Sequence, residues 1–233
     1  MKKWTNIYKI SEKIFLLNDL KFNKVFLNEF INWIKTNGIS NIYKSMSSYN
    51  SSLNNPFAEK IMNRFATYTG SSPFKTPAFM NQISVVEMVY GAYYPKNGIY
   101  SLPSALNKLC IDLGVKFFYN NKITKIEPLK NKFEIHSSEN NFISDKIVSN
   151  IDYHITQKLL DRKTANKKLK LSTSSIVFYW GVKIKSEKLQ LHNVIFSDDY
   201  KKEFESIFEK NIIPEDPTVY VNITSKIDNH HAP

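Results

Sequence analysis

The sequence predicts a mixed fold of the α+β or α/β class, with helices first and strands later. Apolar residues recur every three or four positions between residues 8 and 36, and again between residues 101 and 113. Beyond residue 115, apolar and polar residues alternate or form short β-rich runs, which indicate strands. The 233 residues, of which 42% are hydrophobic, suffice for one large domain or two small ones.

The first ninety residues are predicted to be mainly helical. Between residues 8 and 36 a bulky apolar stripe stops before Gly38. Such a stripe with lysine neighbours is either core or a face that lies on a membrane surface, and both alternatives stay open. Another helix is predicted to begin at Pro56 with Asn55 as its cap, and residues 83–90 form a helix or a strand. The residues of the stripe are Phe22, Val25, Phe26, Phe30, Trp33 and Ile34.

The second half of the chain combines a helix with short strands. A helical stripe over residues 101–113 stops at Gly114, which suits the position just beyond a helix end. Glu139, Asn140 and Asn141 separate two alternating runs and predict a hairpin. Strands are predicted over 115–119, 122–126, 132–136, 142–148, 175–185, 194–196 and 219–223, and helices over 156–170 and 199–210.

The net charge of +11 comes from lysine, since 30 of the 32 basic residues are Lys. Residues 1–102 contain 12 basic and 5 acidic residues, whereas residues 186–233 contain 5 basic and 9 acidic ones. A basic region suggests an anionic partner such as lipid headgroups, although general overuse of Lys gives the same pattern. Nucleic acid is disfavoured as a partner because arginine, the main side chain that contacts base edges, is nearly absent.

The residue pattern excludes several self-sufficient catalytic sites. The single cysteine, Cys110, cannot form an internal disulfide or a cysteine-rich zinc site, and the five histidines lack metal-ligand spacing. The sequence contains no glycine-rich phosphate loop, nucleophile elbow or HExxH helix. Its apolar runs are far shorter than the roughly 20 residues that span a bilayer. We expect an intracellular chain that binds no metal.

Four stretches of sequence follow one another in a distinctive order. They are Arg64–Ala78 (RFATYTGSSPFKTPA), Gly91–Ile126, Asp145–Asp152 (DKIVSNID) and Ser174–Gly181 (SSIVFYWG). Together they resemble the carotenoid (phytoene) desaturase family of flavin amine-oxidase-like proteins, and the first is most similar to the 1-hydroxycarotenoid 3,4-desaturase branch. Asn97 replaces the first glycine of that family's Gly-Gly pair, which is a mild change because Asn tolerates a left-handed backbone.

The resemblance implies the middle portion of a two-domain, FAD-dependent, glutathione-reductase-like oxidoreductase. The family's N-terminal β-α-β unit and C-terminal flavin segment have no counterpart here, so we expect an internal portion that is colourless and inactive alone. The predicted parts are a mainly helical substrate- and membrane-facing part over 1–90, a partial FAD-binding domain over 91–155, and substrate-binding strands and helix over 156–233.

The resemblance also implies the chemistry and the substrate. In such enzymes FAD takes a hydride from an allylic C–H of a carotenoid, and a proton leaves. The protein binds and orients the substrate and the cofactor and excludes water from them. A long apolar polyene suits a tunnel walled by aromatic rings, although each ring taken alone is more simply explained as core. The predicted substrate-binding residues are Phe65, Tyr68, Tyr93, Tyr94, Phe178 and Trp180.

Two backbone stretches are predicted, by the same resemblance, to lie near FAD. The first opens the V-x-x-I-like strand, whose backbone faces the adenine in this superfamily. The second follows the next strand and resembles the stretch that passes near the flavin. The predicted cofactor-binding residues are Ile123 in the first stretch and Ser149, Asn150 and Ile151 in the second.

Arg64 and the basic helical part remain open to two interpretations each. Arg64 is either a polar anchor at the tunnel mouth or the ion-pair partner of a carboxylate such as Glu59.

A carotenoid dissolves only in lipid, so we expect a cytoplasmic protein bound peripherally to the cell membrane. The alternatives are another flavin amine-oxidase-like oxidoreductase, such as a retinol-saturase-like enzyme, and a non-enzymatic basic protein that binds membrane surfaces.

Overall fold

A computed structural model describes residues 1–17, 23–162, 172–183 and 186–231. Its contacts divide the chain into two compact units, which are treated separately below. Unit 1 comprises Met1–Ser101 together with Ser172–Pro233, and unit 2 comprises Leu102–Leu171. Both units contain helix and sheet, so the predicted mixture of α and β structure is confirmed.

The helices of the described residues are mostly short and are connected by 3-10 and π-helical turns. They are α1 (Lys2–Ser11), α2 (Lys24–Asn37), α3 (Ser40–Tyr43), α4 (Met46–Asn50), α5 (Pro56–Arg64), α6 (Ile83–Val85), α7 (Ser101–Asp112), α8 (Tyr153–Leu159) and α9 (Tyr200–Glu205). The 3-10 turns span Ser51–Leu53, Phe65–Thr69, Ala78–Gln82, Thr224–Lys226 and Asn229–His231, and the π turns span Glu12–Leu16, Val86–Tyr90 and Ser206–Lys210.

The strands form two antiparallel sheets. One contains β1 (Ile123–Pro128), β2 (Phe133–Ser137) and β3 (Asn141–Ser144) in that order, and the other pairs β4 (His192–Ile195) with β5 (Val219–Asn222). The predicted hairpin is β2 and β3, with Phe133 opposite Ser144 and His136 opposite Asn141. No helix of the described residues is long and apolar enough to cross a membrane.

Residues near the helix ends act as the sequence predicts. Asn55 caps α5 by accepting a hydrogen bond from the backbone N–H of Ala58 at 3.0 Å, and Pro56 occupies the first turn. Gly114 follows α7 with a φ of +84°, and its N–H donates to Ile111 O. The N–H of Val115 donates to Cys110 O, which completes a Schellman motif. Local sequence therefore determines where these helices begin and end.

The aromatic stripe of α2 lies against the main core of unit 1. Phe26, Phe30 and Ile34 pack on the buried cluster, and Trp33 belongs to it and donates from Nε1 to Ser11 Oγ over 2.9 Å. The core interpretation is therefore correct for these residues, whereas Val25 is exposed and Phe22 lies outside the described residues. The cluster consists of Trp4, Ile7, Ile14, Trp33 and Val85.

A second, smaller core in unit 1 combines apolar and polar packing. Met46, Phe65 and Ala66 are completely buried together. Beside them Asn50 Nδ2 donates to Asn63 Oδ1 over 2.8 Å and to Asn81 Oδ1 over 3.2 Å. Buried amides require such partners because leaving them unpaired costs free energy. The asparagine bonds therefore tie α4, α5 and the 3-10 turn Ala78–Gln82 to one arrangement.

Two predicted strands do not form. Residues 115–119 are irregular and exposed, and residues 172–183 contain no strand, while residues 184 and 185 lie outside the described part. A strand persists only when its backbone groups find a neighbouring ladder, and apolar composition alone does not provide one. The predicted helix over 156–170 is observed as α8, which ends at Leu159, and its residues beyond 162 are also outside the described part.

Candidate functional site

Phe65 and Tyr68 are brought together in unit 1. Phe65 is completely buried, and Tyr68 stacks on it with ring centroids 5.8 Å apart and planes 18° apart. Both belong to one 3-10 turn, in which residues three apart lie above one another. Phe65 therefore fixes the orientation of Tyr68, which is itself 59% exposed.

Glu87 joins Tyr68 to Arg64. The Arg64 Nη2 atom lies 2.9 Å from Glu87 Oε1, and Tyr68 Oη donates to Glu87 Oε2 over 2.6 Å. Arg64 thus pairs with a carboxylate as predicted, but Glu59 is the wrong partner. Residues five apart on a helix do not share a face, so α5 directs Glu59 away from Arg64. We call Arg64, Tyr68 and Glu87 the polar triad.

The electrostatics of the polar triad keep the phenol protonated. Partial burial, together with the hydrogen bond to Glu87, raises the pKa of Tyr68, and Arg64 opposes part of that rise. The guanidinium carbon lies 5.0 Å from the ring centroid of Phe65 and 5.7 Å from that of Tyr68, within cation–π distance. Tyr68 is therefore a hydrogen-bond donor throughout the neutral pH range.

Sequence reasoning missed Glu87. The residue is the single charge in the apolar run from Ile83 to Tyr90, and an isolated carboxylate in such a run is the signal that could have identified it. Its partner could not be deduced, because Arg64 and Glu87 are 23 positions apart in the sequence. Only the tertiary fold of unit 1 brings the two side chains together.

Gly70 is the point at which the Arg64–Ala78 stretch packs against residues 172–173 of unit 1. Its φ is +63°, and a Cβ atom added there would lie 2.6 Å from Ser172 Cβ. The N–H of Thr173 reaches Gly70 O over 3.4 Å. Only glycine accommodates this left-handed backbone together with such a close approach. The first family-like stretch thereby meets the residues just before the fourth, which begins at Ser174.

The other predicted substrate-binding residues do not contact this cluster in the described part of the chain. Tyr93 and Tyr94 lie in the loop after residue 90, and Tyr94 Oη is 3.0 Å from His231 Nδ1. Phe178 and Trp180 are exposed in an irregular segment, with ring centroids 6.2 Å apart. Their proposed contact with substrate stays a prediction.

A cavity of about 310 Å³ opens on the same stretch as the polar triad but is lined by different side chains. None of the six predicted rings lines it, and of those six only Phe65 is buried. The described residues by themselves thus do not assemble the six rings into one tunnel. The lining residues are Thr69, Ser71, Lys75, Thr76, Pro77, Phe79 and Met80.

The predicted cofactor-binding residue Ile123 begins β1 in unit 2. It is paired with Ser137, and the ladder register shifts between Ile123 and Lys125. Such a bulge leaves an extra residue in the strand and interrupts the regular ladder. The irregularity coincides with the backbone that the resemblance assigns to the adenine. No contact among the described residues tests that assignment.

Ser149, Asn150 and Ile151 lie in an exposed extended segment that leads into α8. Ser149 Oγ is 2.7 Å from Thr156 Oγ1, which ties the segment to the helix. Among the described residues, the backbone groups of 147–151 make no hydrogen bond. This open backbone fits a group that binds through main-chain hydrogen bonds, as nucleotide cofactors do. The segment is therefore compatible with the predicted flavin contact.

A charged cluster on the β1–β2 hairpin is another place where side chains converge. Ligand atoms of Glu127, Glu134 and His136 lie within 4.8 Å of one another. His136 Nε2 is 3.0 Å from Glu127 Oε2, and Lys125 Nζ contacts the other oxygen of that carboxylate. The bonds from Lys125 and His136 lower the pKa of Glu127. An ion-pair network accounts for this cluster.

The relatives of this chain identify its family. No family model matches it. It is 36% identical to the 1-hydroxycarotenoid 3,4-desaturase of Flavobacterium sp. (strain P99-3) over 232 residues, which cover 97% of this chain. The chain belongs to the carotenoid desaturase family. The family predicted from the four stretches is therefore confirmed. The chain spans about half of the Flavobacterium protein, because the match covers 48% of that protein's length.

Two further relatives agree with the assignment to this family. The phytoene desaturase of Neurospora crassa is 31% identical over 188 residues, which cover 72% of this chain and 31% of the fungal protein. The zeta-carotene-forming phytoene desaturase of Myxococcus xanthus is 34% identical over 173 residues, covering 71% of this chain and 33% of the bacterial protein. All three relatives are carotenoid or phytoene desaturases, so they favour neither a retinol-saturase-like enzyme nor a non-enzymatic protein.

Proposed function

We propose that the protein to which this chain belongs is an FAD-dependent desaturase that introduces C=C bonds into a carotenoid. The similarity to the 1-hydroxycarotenoid 3,4-desaturase over 97% of the chain supports the proposal most strongly. Because the chain spans about half of that relative, the activity is proposed for the whole protein. The open backbone at 147–151 adds support, since it suits a bound nucleotide cofactor.

This chain would bind and orient the substrate and the cofactor, and it would exclude water from them. When bound, FAD would supply the hydride acceptor for an allylic C–H, which no side chain can do. Ile123 and the 149–151 segment would hold the cofactor through main-chain groups. The aromatic side chains of unit 1 would contact the polyene, because large apolar rings stabilise an apolar rod by burial. Tyr68 is the best oriented of them, since Phe65 fixes its ring.

Product analysis tests the proposed reaction. The full-length protein, incubated with acyclic carotenoids and FAD, should yield a product that absorbs at longer wavelength because its conjugated system is longer. The same protein heated to unfold it is the control. Conversion of retinoids or amines in place of carotenoids would instead assign it to another flavin oxidoreductase class.

The isolated 233-residue chain offers a second test. We expect it to purify colourless, since the sequence contains no glycine-rich phosphate loop to hold the diphosphate of FAD. The visible absorbance of oxidised flavin, divided by the protein concentration, measures this directly. A yellow chain with stoichiometric flavin would show that these residues suffice to bind the cofactor.

We also propose that unit 1 rests on a membrane surface. Leu16, Leu17, Val25 and Leu27 are all more than half exposed around the start of α2, and lysines lie close to them in the sequence. Exposed apolar side chains with basic neighbours are suited to anionic lipid interfaces. This surface gives a lipid-soluble substrate a route to the protein. Val25 is the one residue that this surface shares with the predicted stripe of α2. The stripe residues Phe26, Phe30, Trp33 and Ile34 pack on the core instead.

Vesicle flotation tests the membrane proposal. The chain should float with phosphatidylglycerol vesicles at low salt and remain behind at high salt, because salt screens the lysine charges. The double substitution Leu17→Ser with Val25→Ser should reduce flotation severalfold, whereas Leu53→Ser, at another exposed leucine, should not. Equal flotation of both variants would reject this surface. Flotation of a full-length protein that binds no flavin and desaturates no carotenoid would favour the non-enzymatic alternative.

A further inference from the structure

The polar triad places a cation, a carboxylate and a phenol at one point of unit 1. Arg64 and Tyr68 each contact a different oxygen of Glu87, at 2.9 Å and 2.6 Å. All three side chains remain partly accessible. The buried Phe65 ring lies under both Arg64 and Tyr68 and holds them in place. The triad is thus a rigid group that a ligand in solution can still reach.

The polar triad retains hydrogen-bonding capacity. Arginine has five N–H donors, and the side chain of Arg64 directs one to Glu87 and another to the Tyr68 hydroxyl, so further donors remain. Each oxygen of Glu87 accepts one of the described bonds and has a second lone pair. Tyr68 donates its hydroxyl proton to Glu87 and accepts from Arg64. A group that both donates and accepts would be satisfied at this point.

Apolar surface adjoins the polar triad. Glu87 lies on the π turn Val86–Tyr90, in which Val86, Met88, Val89 and Tyr90 are each close to half exposed. Tyr90 packs edge to face against Tyr8, so the turn is anchored to α1. An apolar ligand body can lie along this turn while its polar end reaches the triad. The combination is suited to a hydrophobic molecule that carries one hydroxyl group.

We propose that the polar triad binds the hydroxyl group at the end of an oxygenated polyene and so distinguishes it from the hydrocarbon. The hydroxyl would accept a hydrogen bond from Arg64 and donate one to Glu87. A hydrocarbon end would cover the same groups without replacing their water contacts, which is unfavourable. This inference rests on the proposed function, because it assumes that unit 1 contacts the carotenoid.

Competitive co-elution measures the proposed preference. The 233-residue chain is incubated with detergent micelles that contain equal amounts of 1-hydroxy-1,2-dihydrolycopene and lycopene, and the carotenoids that elute with the protein are quantified. One neutral hydrogen bond contributes enough to shift an equilibrium about fivefold, so we expect at least that ratio in favour of the hydroxylated compound.

Three conservative substitutions locate the preference. Tyr68→Phe keeps the ring stacked on Phe65, Glu87→Gln removes the charge, and Arg64→Lys removes the planar fork of donors. Arg64→Lys and Glu87→Gln each change a group that would bond to the hydroxyl, so each should bring the ratio close to one. Tyr68→Phe removes only the bond that orients Glu87 and should lower the ratio less. Glu215→Gln, which disrupts an exposed ion pair with Lys202, is the matched control and should leave the ratio unchanged. Thermal unfolding of every variant shows whether the fold is retained, and Arg64→Lys decides if Glu87→Gln fails to fold.

The possible outcomes separate this inference from the proposed function. If both carotenoids elute with the chain in equal amounts, the hydroxyl preference is wrong while carotenoid binding stands. If the ratio survives in all three variants, the hydroxyl group is recognised elsewhere and the triad assignment is wrong. If neither carotenoid elutes with the chain, the assumption that these residues contact a carotenoid fails, and the inference fails with it.

Discussion

Unit 1 and unit 2 are stabilised in different ways. Unit 1 contains two clusters of buried side chains, and distant segments meet in them. In unit 2, Ile126 is the only buried residue among the described residues 102–162. The apolar stripe of α7 contains no buried residue, and Leu102, Leu106 and Leu109 are each more than half exposed. Hydrogen-bonded ladders rather than a core hold the strands of unit 2 together.

The difference shows that an amphipathic pattern and burial are separate properties. The stripes of α2 and α7 are both well formed in the sequence, yet α2 packs on a core whereas α7 contains no buried residue. Hydrophobic stabilisation scales with the apolar area removed from water, so α2 contributes strongly to stability and α7 contributes little in this chain. Four pairs of substitutions test whether the two units are stabilised in these different ways.

Trp33→Ala should have the largest effect. It removes a nearly buried ring, its contact with Phe79 at 5.3 Å and its bond to Ser11, so unfolding should require about 3–5 kcal/mol less free energy. Leu106→Ala on α7, at a side chain that is 61% exposed, should change it by less than about 0.5 kcal/mol. Urea denaturation followed by circular dichroism measures both. A large cost for Leu106→Ala would show that the α7 stripe is covered in solution.

Asn50→Ala should have the next largest effect. It leaves the buried Oδ1 atoms of Asn63 and Asn81 without their donor, which costs about 1–3 kcal/mol. Asn28→Ala, at an exposed position of α2, is the control and should be neutral or slightly stabilising because alanine favours helix. Thermal unfolding compares the two. Equal stability of both variants would mean that the asparagine bonds do not form in solution.

Loss of a helix cap should cost about 1 kcal/mol in either unit. Asn55→Ala removes the acceptor for Ala58 N–H in unit 1, and Asp152→Ala removes the acceptor for His154 N–H in unit 2. Hydrogen exchange should show the first change across the core of unit 1 and the second only within α8, because α8 contains no buried residue to couple it to a core. If Asp152→Ala increases hydrogen exchange throughout unit 2, then unit 2 is coupled by a core and the difference between the units is wrong. Asn55→Gly, which costs only a few tenths of a kcal/mol, checks that capping is the cause.

The smallest effect is a local pH dependence of the β1–β2 hairpin. The bonds from Lys125 and His136 lower the pKa of Glu127 below its ordinary value of 4.5. A lowered pKa means that the ionised form stabilises the folded state above pH 4.5, and that this stabilisation is lost as the pH falls through the folded-state pKa. Amide protection in β1 and β2, corrected for the intrinsic exchange rate, should therefore decrease in acid.

Two variants assign that pH dependence. Glu127→Gln should flatten it, because a neutral amide cannot change charge with pH. Glu139→Gln, in the turn between β2 and β3, should leave it in place. Buried clusters in unit 1 should show no matching change over the same pH range, because the two hydrophobic clusters contain no titratable side chain. A pH profile that is unchanged by Glu127→Gln would show that another group titrates.

Local sequence predicted the helix ends and the turns well. Asn55 with Pro56 and Gly114 act where the pattern indicated, and Asn97 has the left-handed φ of +68° that its replacement of glycine predicted. The hairpin of β2 and β3 also forms as expected. These features depend on residues within a few positions of one another, so the sequence contains all the information they need.

The site was predicted only in part. Arg64, Phe65 and Tyr68 were recognised from one continuous stretch, and two of them stack as neighbours in a 3-10 turn. Glu87 was missed, and Phe178 and Trp180 lie apart from that stretch in the described contacts. Contacts between residues that are far apart in sequence depend on how segments pack, and short-range patterns do not specify that packing.

The sequence by itself determined the family, the mixture of helices and strands, and the residues that begin and end several of them. Only the tertiary structure decided that one face of α2 packs on a core while α7 contains no buried residue, that residues 115–119 form no strand, and that Arg64 pairs with Glu87. The physical reason is that propensity and capping act between neighbours along the chain. Burial, ladder pairing and ion pairing instead require a second segment that the fold must supply.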